Sequence, residues 1–232
     1  MTVGRHSTIR IWDLPTRLFH WLFAAAVIGA IVTVKVGGSW MDWHLPFGVC
    51  ALVLLTFRLI WGFTGGRYAR FANFVTGPFA TIRYLKSPEY QETAGHSPIG
   101  GWSVLALLLV VGIQAVTGLF ATDDILTQGP LNAFVSADTA SLLTSIHKWN
   151  EKPLFVLIAL HLAAIIIYAI KGKKLVPAMI SGDKRTTDID PQTSPSRDDI
   201  GLRAWALVLI VLLSSIGWWL VSLAGNSTAN FG

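Results

Sequence analysis

The chain is short of charge and of cysteine. Only 13% of its 232 residues are Asp, Glu, Lys or Arg, 13 acids against 18 bases, where a soluble domain usually carries about 25%. That scarcity excludes an ordinary soluble globule. The hydrophobic share of 53% and the mean hydropathy of +0.56 point instead to a polytopic membrane protein. The single cysteine, Cys50, excludes an internal disulfide, a self-contained four-cysteine iron–sulfur cluster and a C-x-x-C-H attachment site. No apolar run is followed by a small-residue cleavage site and a polar mature chain, so none reads as a cleavable leader. The net charge of +5 needs no nucleic-acid partner, because membrane topology accounts for where the bases lie.

What is present is a set of five apolar segments, at residues 18–36, 44–63, 102–121, 141–170 and 204–224. Each holds an apolar stretch of about 17–23 residues, enough to cross about 30 Å of hydrocarbon. Between the second and third, Thr76-Gly77-Pro78 followed by Phe79, Ile82 and Leu85 reads as a capped short helix lying in the interface. The stretch 172–201 is polar and reads as a flexible tether. The expected organisation is an N-terminal tail at 1–16, a four-helix core at 17–171, the linker at 172–201, a fifth span at 202–224 and a tail at 225–232. The fold class is all-α: an integral membrane four-helix bundle plus a fifth transmembrane helix.

Lys and Arg orient it. Fourteen lie in the N-terminal tail and in the second and fourth connections, among them Arg5, Arg10, Arg17, Arg67, Arg70, Arg83 and Lys173. The opposite side has Lys35, Lys148 and Lys152, and Arg58 lies inside the second segment. The N-terminus is therefore expected in the cytoplasm and the C-terminus outside, which in a bacterium is the periplasmic face of the inner membrane.

Four histidines stand in or at the ends of the apolar segments: His20, His44, His147 and His161. Histidine is costly in a bilayer, so each is a functional hypothesis. His147 and His161 are 14 residues apart on one predicted helix, about 21 Å in rise and about 40° short of four full turns. Pro153 between them removes a backbone donor and is expected to disturb that angle. With the N-terminus inside, His20 and His161 share the inner depth, and His44 and His147 share the outer one. That is the layout of two stacked haem groups, each held by two imidazoles. With no C-x-x-C-H motif, both are haem b.

Blander readings stand beside this one. A histidine near an interface snorkels, and one on an apolar face packs. His161, flanked by Leu160 and Leu162, fits them least. His6 sits in a polar tail and reads as solvated. His96, in Gly95-His96-Ser97-Pro98, either contacts a quinone head group or proton path, or simply caps the next helix. Arg17 and Arg58, with Arg67 and Arg70, lie where haem propionates would need cations; topology alone also explains all but Arg58. Gly29, Gly112 and Gly118 give room either to a flat macrocycle or to close helix packing. Asp123, Asp124 and Asp138 make the outer loop acidic, suited to a basic redox partner or simply to solvent.

Several motifs resemble those of a known family. Ile11-Trp12-Asp13-Leu14-Pro15-Thr16-Arg17-Leu18-Phe19-His20-Trp21 is similar to the start of bacterial cytochrome b561 and of the nickel–iron hydrogenase b-type cytochromes. So are Phe57-Arg58-Leu59-Ile60-Trp61-Gly62, Gly95-His96-Ser97-Pro98, Gly112-Ile113-Gln114-Ala115-Val116-Thr117-Gly118-Leu119 and the pair His147 and His161. Ser97 stands where members commonly have Asn. The resemblance covers residues 9–182. It implies a four-helix core with two b haems on His20, His44, His147 and His161. It also implies electron exchange between a membrane quinone and a partner on the other face, such as a periplasmic c-type cytochrome. The fifth span is outside that core. A non-redox membrane anchor or scaffold, and a small helical transporter, are the competing readings. The absence of an internal sequence repeat and of midplane charges other than Arg58 speaks against a transporter.

Overall fold

The computed structural model describes residues 8–86, 93–123, 127–186, 190 and 192–229, with side chains described up to 223. His6, Arg5 and Asp124 lie outside the described residues. The fold is all-α, with one short antiparallel strand pair among the described residues. In order come β1 (Thr8–Arg10), α1 (Leu14–Val36), α2 (His44–Thr64), α3 (Pro78–Lys86), α4 (Pro98–Gly118), α5 (Ala137–Ile170), α6 (Leu175–Ser181), β2 (Asp183–Arg185) and α7 (Ile200–Ala229). Short 3-10 turns occupy Gly38–Trp43, Phe71–Asn73 and Asn132–Phe134. Among the described residues five helices are long and apolar enough to cross a membrane: α1, α2 with its preceding turn, α4, α5 and α7.

Helix ends follow local chemistry. Val36 is followed by Gly37 and Gly38 at φ 70° and 59°, so the chain leaves α1 through two left-handed residues and enters the 3-10 turn before α2. The third span starts four residues before its expected position. Pro98 has no N–H to leave unsatisfied at a first turn, and the Gly100 N–H donates to Ser97 Oγ at 3.1 Å. α5 remains helical through Pro153. α3 forms where the short interfacial helix was expected, with Phe79, Ile82 and Leu85 exposed along it.

Two expectations need correction. The stretch 172–201 is not a featureless tether: it carries α6 and β2, and the residues after β2 are tied down as described below. The helix of the fifth span also continues to Ala229, past the start of the expected tail at 225. In the first of these places the order comes from pairing with β1, a partner distant in sequence that composition does not reveal.

The chain divides into two compact units. The first comprises residues 1–18, 59–106 and 159–206. In it β1 pairs with β2, Arg10 opposite Asp183. The Arg10 guanidinium bridges Asp183 and Asp198, each at 2.7 Å. Asp198, 7% exposed, also accepts the Leu14 N–H at 3.1 Å and an ion pair from Arg203 at 3.0 Å. Burial raises its pKa, but the Arg203 hydrogen bond, the Leu14 N–H and the charges of Arg203 and Arg10 outweigh that and hold the carboxyl below its ordinary value. A lowered folded-state pKa means the ion-paired latch is complete at neutral pH and is lost only as the pH falls below about 4. Ser196 N–H donates to the Arg10 carbonyl at 2.7 Å, and Tyr68 Oη to the Ser194 carbonyl at 2.8 Å. Beneath this strap Ile11 and Trp12 are buried with Ala178.

Asp13 is the polar centre of this unit. It is 1% exposed and accepts three donors: Thr16 N–H at 2.8 Å, Trp61 Nε1–H at 3.2 Å and Gly66 N–H at 3.2 Å. It thus caps α1 and ties it to the end of α2. A Cβ at Gly66 would collide with the Asp13 carboxylate and the Ser196 hydroxyl, so glycine is needed for the approach.

The second unit comprises residues 19–58, 107–158 and 207–232. Here α2 is central: of the five spans it is the most buried, at 44%. Phe47 lies on Gly29 of α1, Leu55 on Gly112 of α4, and Val49 and Val53 on Gly217 of α7. Lys35 at the end of α1 pairs with Glu151 of α5.

Asp13→Ala strips a buried acceptor from three donors and is expected to cost about 2–4 kcal/mol, with Asp13→Asn intermediate. Thermal denaturation in detergent reads it. An unchanged midpoint in Asp13→Ala would contradict the role given to this carboxylate.

Candidate functional site

The second unit brings His44 and His147 together. His44 is the first residue of α2, set there by the 3-10 turn that closes on it through His44 N–H to the Met41 carbonyl. His147 stands on α5. Their ring centroids are 6.2 Å apart, with planes crossed at 87°. Two imidazoles in line on one metal ion would have centroids about 6.3 Å apart, from metal–nitrogen bonds of about 2 Å and ring radii of about 1.1 Å. The observed separation is close to that figure.

The hydrogen bonds set which nitrogen of each ring keeps its lone pair. His44 Nδ1 lies 2.8 Å from the Ala30 carbonyl of α1, and His147 Nδ1 lies 2.9 Å from the Gln114 carbonyl of α4. A carbonyl only accepts, so each Nδ1 carries the proton. Each Nε2 is then left with a lone pair, as a metal ligand needs. Among the described residues no three His, Cys, Asp or Glu side chains converge. Two imidazoles alone do not complete a metal's coordination sphere, and a macrocycle such as haem would supply the remaining ligands.

Gln114 adds a polar contact. Its Nε2 is 3.2 Å from His147 Nε2, while its Oε1 accepts from Asn150 Nδ2 at 2.8 Å. For His147 to bind metal, this amide must turn off Nε2. Gly118 provides space for the His147 ring, because a Cβ there would sit 2.9 Å from Cε1. Of the glycines singled out in the sequence, Gly118 bears on a histidine, while Gly29 and Gly112 serve helix packing.

The other sequence candidates are placed as follows. His20 stands on α1 in the second unit, edge-on to Trp21 at 5.0 Å. His161 stands on α5 in the first unit, half-buried between the exposed Leu160 and Leu162. Arg17 Nη1 donates to the Ile180 carbonyl at the end of α6, at 2.6 Å, and its buried Nε makes no hydrogen bond among the described residues. Arg58 is 3% exposed within α2. Arg67 and Arg70 are exposed. In the acidic loop, Asp123 accepts the Thr127 N–H at 2.8 Å, and Asp138 lies in the first turn of α5, where a negative charge favours the helix dipole.

His96 lies in the first unit against Phe74 and Trp12, at 4.5 and 4.8 Å between centroids. It lines a cavity of about 270 Å³ with Tyr68, Asn73, Phe74, Thr76 and Thr93. Sequence reasoning did not find the carbonyls of Ala30 and Gln114, nor the paired amides of Gln114 and Asn150. A backbone acceptor leaves no trace in residue type. The two amides did have a signal, since an uncharged polar side chain in a span also needs a partner.

Gly118→Val is expected to displace the His147 ring and to release whatever the two histidines hold. Gly112→Ala, whose added carbon meets only Leu55 at an ordinary 3.4 Å, is expected to be silent. Absorption spectra of the two purified variants compare them, and equal spectra would contradict the placement of His147 against Gly118.

The comparison with curated proteins and that with solved structures each found no match. The family described as prokaryotic cytochrome b561 matches residues 11–182. That span takes in His20, His44, His147 and His161 and leaves α7 outside. The chain belongs to the prokaryotic cytochrome b561 family, and is a multi-pass membrane b-type cytochrome that carries electrons.

Proposed function

We propose that the protein carries two b haems, one between His44 and His147 and one between His20 and His161, and passes electrons between the membrane quinone pool and a redox partner on the outer face. One observation carries the reading: two half-buried imidazoles 6.2 Å apart, each with Nδ1 on a backbone carbonyl. The spacing of 14 residues on α5 between His147 and His161 supports a second, equivalent pair. Membership of a cytochrome family favours this account over an anchor or a transporter.

The bound haem supplies one-electron chemistry. The chain supplies position and surroundings. Held by two imidazoles, from His44 and His147 or from His20 and His161, a haem would have no open site for oxygen. Arg17, with an unused buried Nε, and Arg58, within a span, are suited to the haem propionates, since a guanidinium pairs with a carboxylate bidentately. The cavity beside His96 combines aromatic walls with hydroxyl and amide groups, which suits a quinone head group.

The distribution of Lys and Arg supports a cytoplasmic N-terminus and an outer C-terminus in the bacterial inner membrane. In that orientation Asp123, Asp124 and Asp138 face the periplasm, where a basic partner such as a c-type cytochrome would dock.

Pyridine haemochrome assay of the purified protein tests the core of the proposal. Two haems per chain are expected, falling to one in His44→Ala or in His161→Ala. One haem in the unsubstituted protein would remove one of the two pairs. A short-chain quinol is expected to reduce the bound haem, and its failure would remove the quinone half. Reduction by a basic periplasmic donor is expected to slow as salt rises, because exposed charges are screened beyond about 8 Å at physiological ionic strength. A rate indifferent to salt and to Asp123→Asn with Asp124→Asn would reject the acidic docking face.

A further inference from the structure

The two carbonyls behind the histidines share a local device. Thr33 of α1 is 1% exposed, and its hydroxyl lies 2.8 Å from the Gly29 carbonyl and 3.0 Å from the Ala30 carbonyl. Thr117 of α4 is 6% exposed, and its hydroxyl lies 2.6 Å from the Ile113 carbonyl and 3.3 Å from the Gln114 carbonyl. In each helix the threonine stands three residues after the carbonyl that accepts a histidine Nδ1–H. Thr117 Oγ1 is itself 3.4 Å from His147 Nδ1.

Threonines in apolar helices often bond to the carbonyl four residues back merely to satisfy their own hydroxyl. Thr56 does so on Leu52 at 2.9 Å, and Thr144 on Ala140 at 2.7 Å. Thr33 and Thr117 differ, because each hydroxyl also reaches the carbonyl three residues back, the one on which a histidine sits. Such back-bonding bends a helix, and a carbonyl tilted out of the helical ladder becomes an acceptor for a neighbouring helix.

We propose that Thr33 and Thr117 are positioning residues that hold the carbonyls of Ala30 and Gln114 toward His44 and His147, committing both imidazoles to bind metal through Nε2. The inference rests on the reading of these histidines as one axial pair. A strong Nδ1–H bond makes an imidazole a more basic ligand and favours the ferric state. Loss of either hydroxyl therefore weakens that bond and raises the midpoint potential of the haem on His44 and His147, without touching the other.

The test uses the full-length protein in detergent, with Thr33→Val, Thr117→Val, Thr33→Ser and Thr117→Ser made singly. Haem per chain, the midpoint potentials and the low-spin ferric spectrum are read for each. His44→Ala and His147→Ala identify which signal belongs to this pair. The expected result is that both Val variants shift that one potential upward, or lose that one haem alone, while both Ser variants match the unsubstituted protein. Val variants indistinguishable from the unsubstituted protein would overturn the proposal. So would Ser variants displaced as far as Val, or both haems moving together. If the His→Ala controls leave haem content unchanged, the axial-pair reading itself has failed, a result distinct from silent threonines.

Discussion

A neutral imidazole inside a membrane span has one donor and one acceptor nitrogen, and only one can be given to a metal. The hydrogen bond from Nδ1 to a backbone carbonyl decides which. In this protein it is made twice, from His44 to Ala30 and from His147 to Gln114, at nearly equal lengths of 2.8 and 2.9 Å. The rest of the second unit is arranged around that constraint. The turn at Gly37 and Gly38 brings His44 back beside α1, and Gly118 lets the His147 ring lie close to α4. Each histidine is thus served by the span that precedes its own in the chain: α1 supports α2, and α4 supports α5. No sequence repeat announces this, yet the two pairs are built alike.

The first unit solves a different problem. The chain before α1 and the chain before α7 both meet the aqueous boundary of a span, where exposed helix ends need partners. Asp13 and Asp198 accept backbone N–H groups at the start of α1, Asp199 accepts the Leu202 N–H at the start of α7, and Arg10 and Arg203 balance the charge on Asp198. The fifth span lies outside the residues matched by the family. It is joined to the N-terminal segment through Asp198, and Trp205 Nε1–H donates to Thr64 Oγ1 of α2 at 3.3 Å. It is therefore tied to the core at its start, whatever its purpose.

Much of the fold was legible in the sequence because a bilayer restricts the choices. Length and hydropathy located five spans, and the cost of a polar group in hydrocarbon singled out the histidines. Boundaries were read less well where local signals compete with hydropathy: Ser97-Pro98 starts α4 ahead of its apolar run, and α7 continues past 224. The order in 172–201 was missed because it depends on partners far away in sequence, Arg10 above all. At the site, residue type found His44 and His147 but not their support. The carbonyls of Ala30 and Gln114 are defined by backbone position, and Thr33 and Thr117 look like ordinary span residues until their hydroxyls are seen beside those carbonyls.

The central claim is that His44 and His147 grip one iron with crossed rings. Electron paramagnetic resonance of the oxidised protein tests it directly. Imidazole planes at 87° are expected to give a strongly anisotropic low-spin ferric signal, present in the full protein and diminished in His44→Ala and His147→Ala alike. A high-spin ferric signal in the unsubstituted protein, or a strongly anisotropic signal undiminished by both substitutions, would contradict the account.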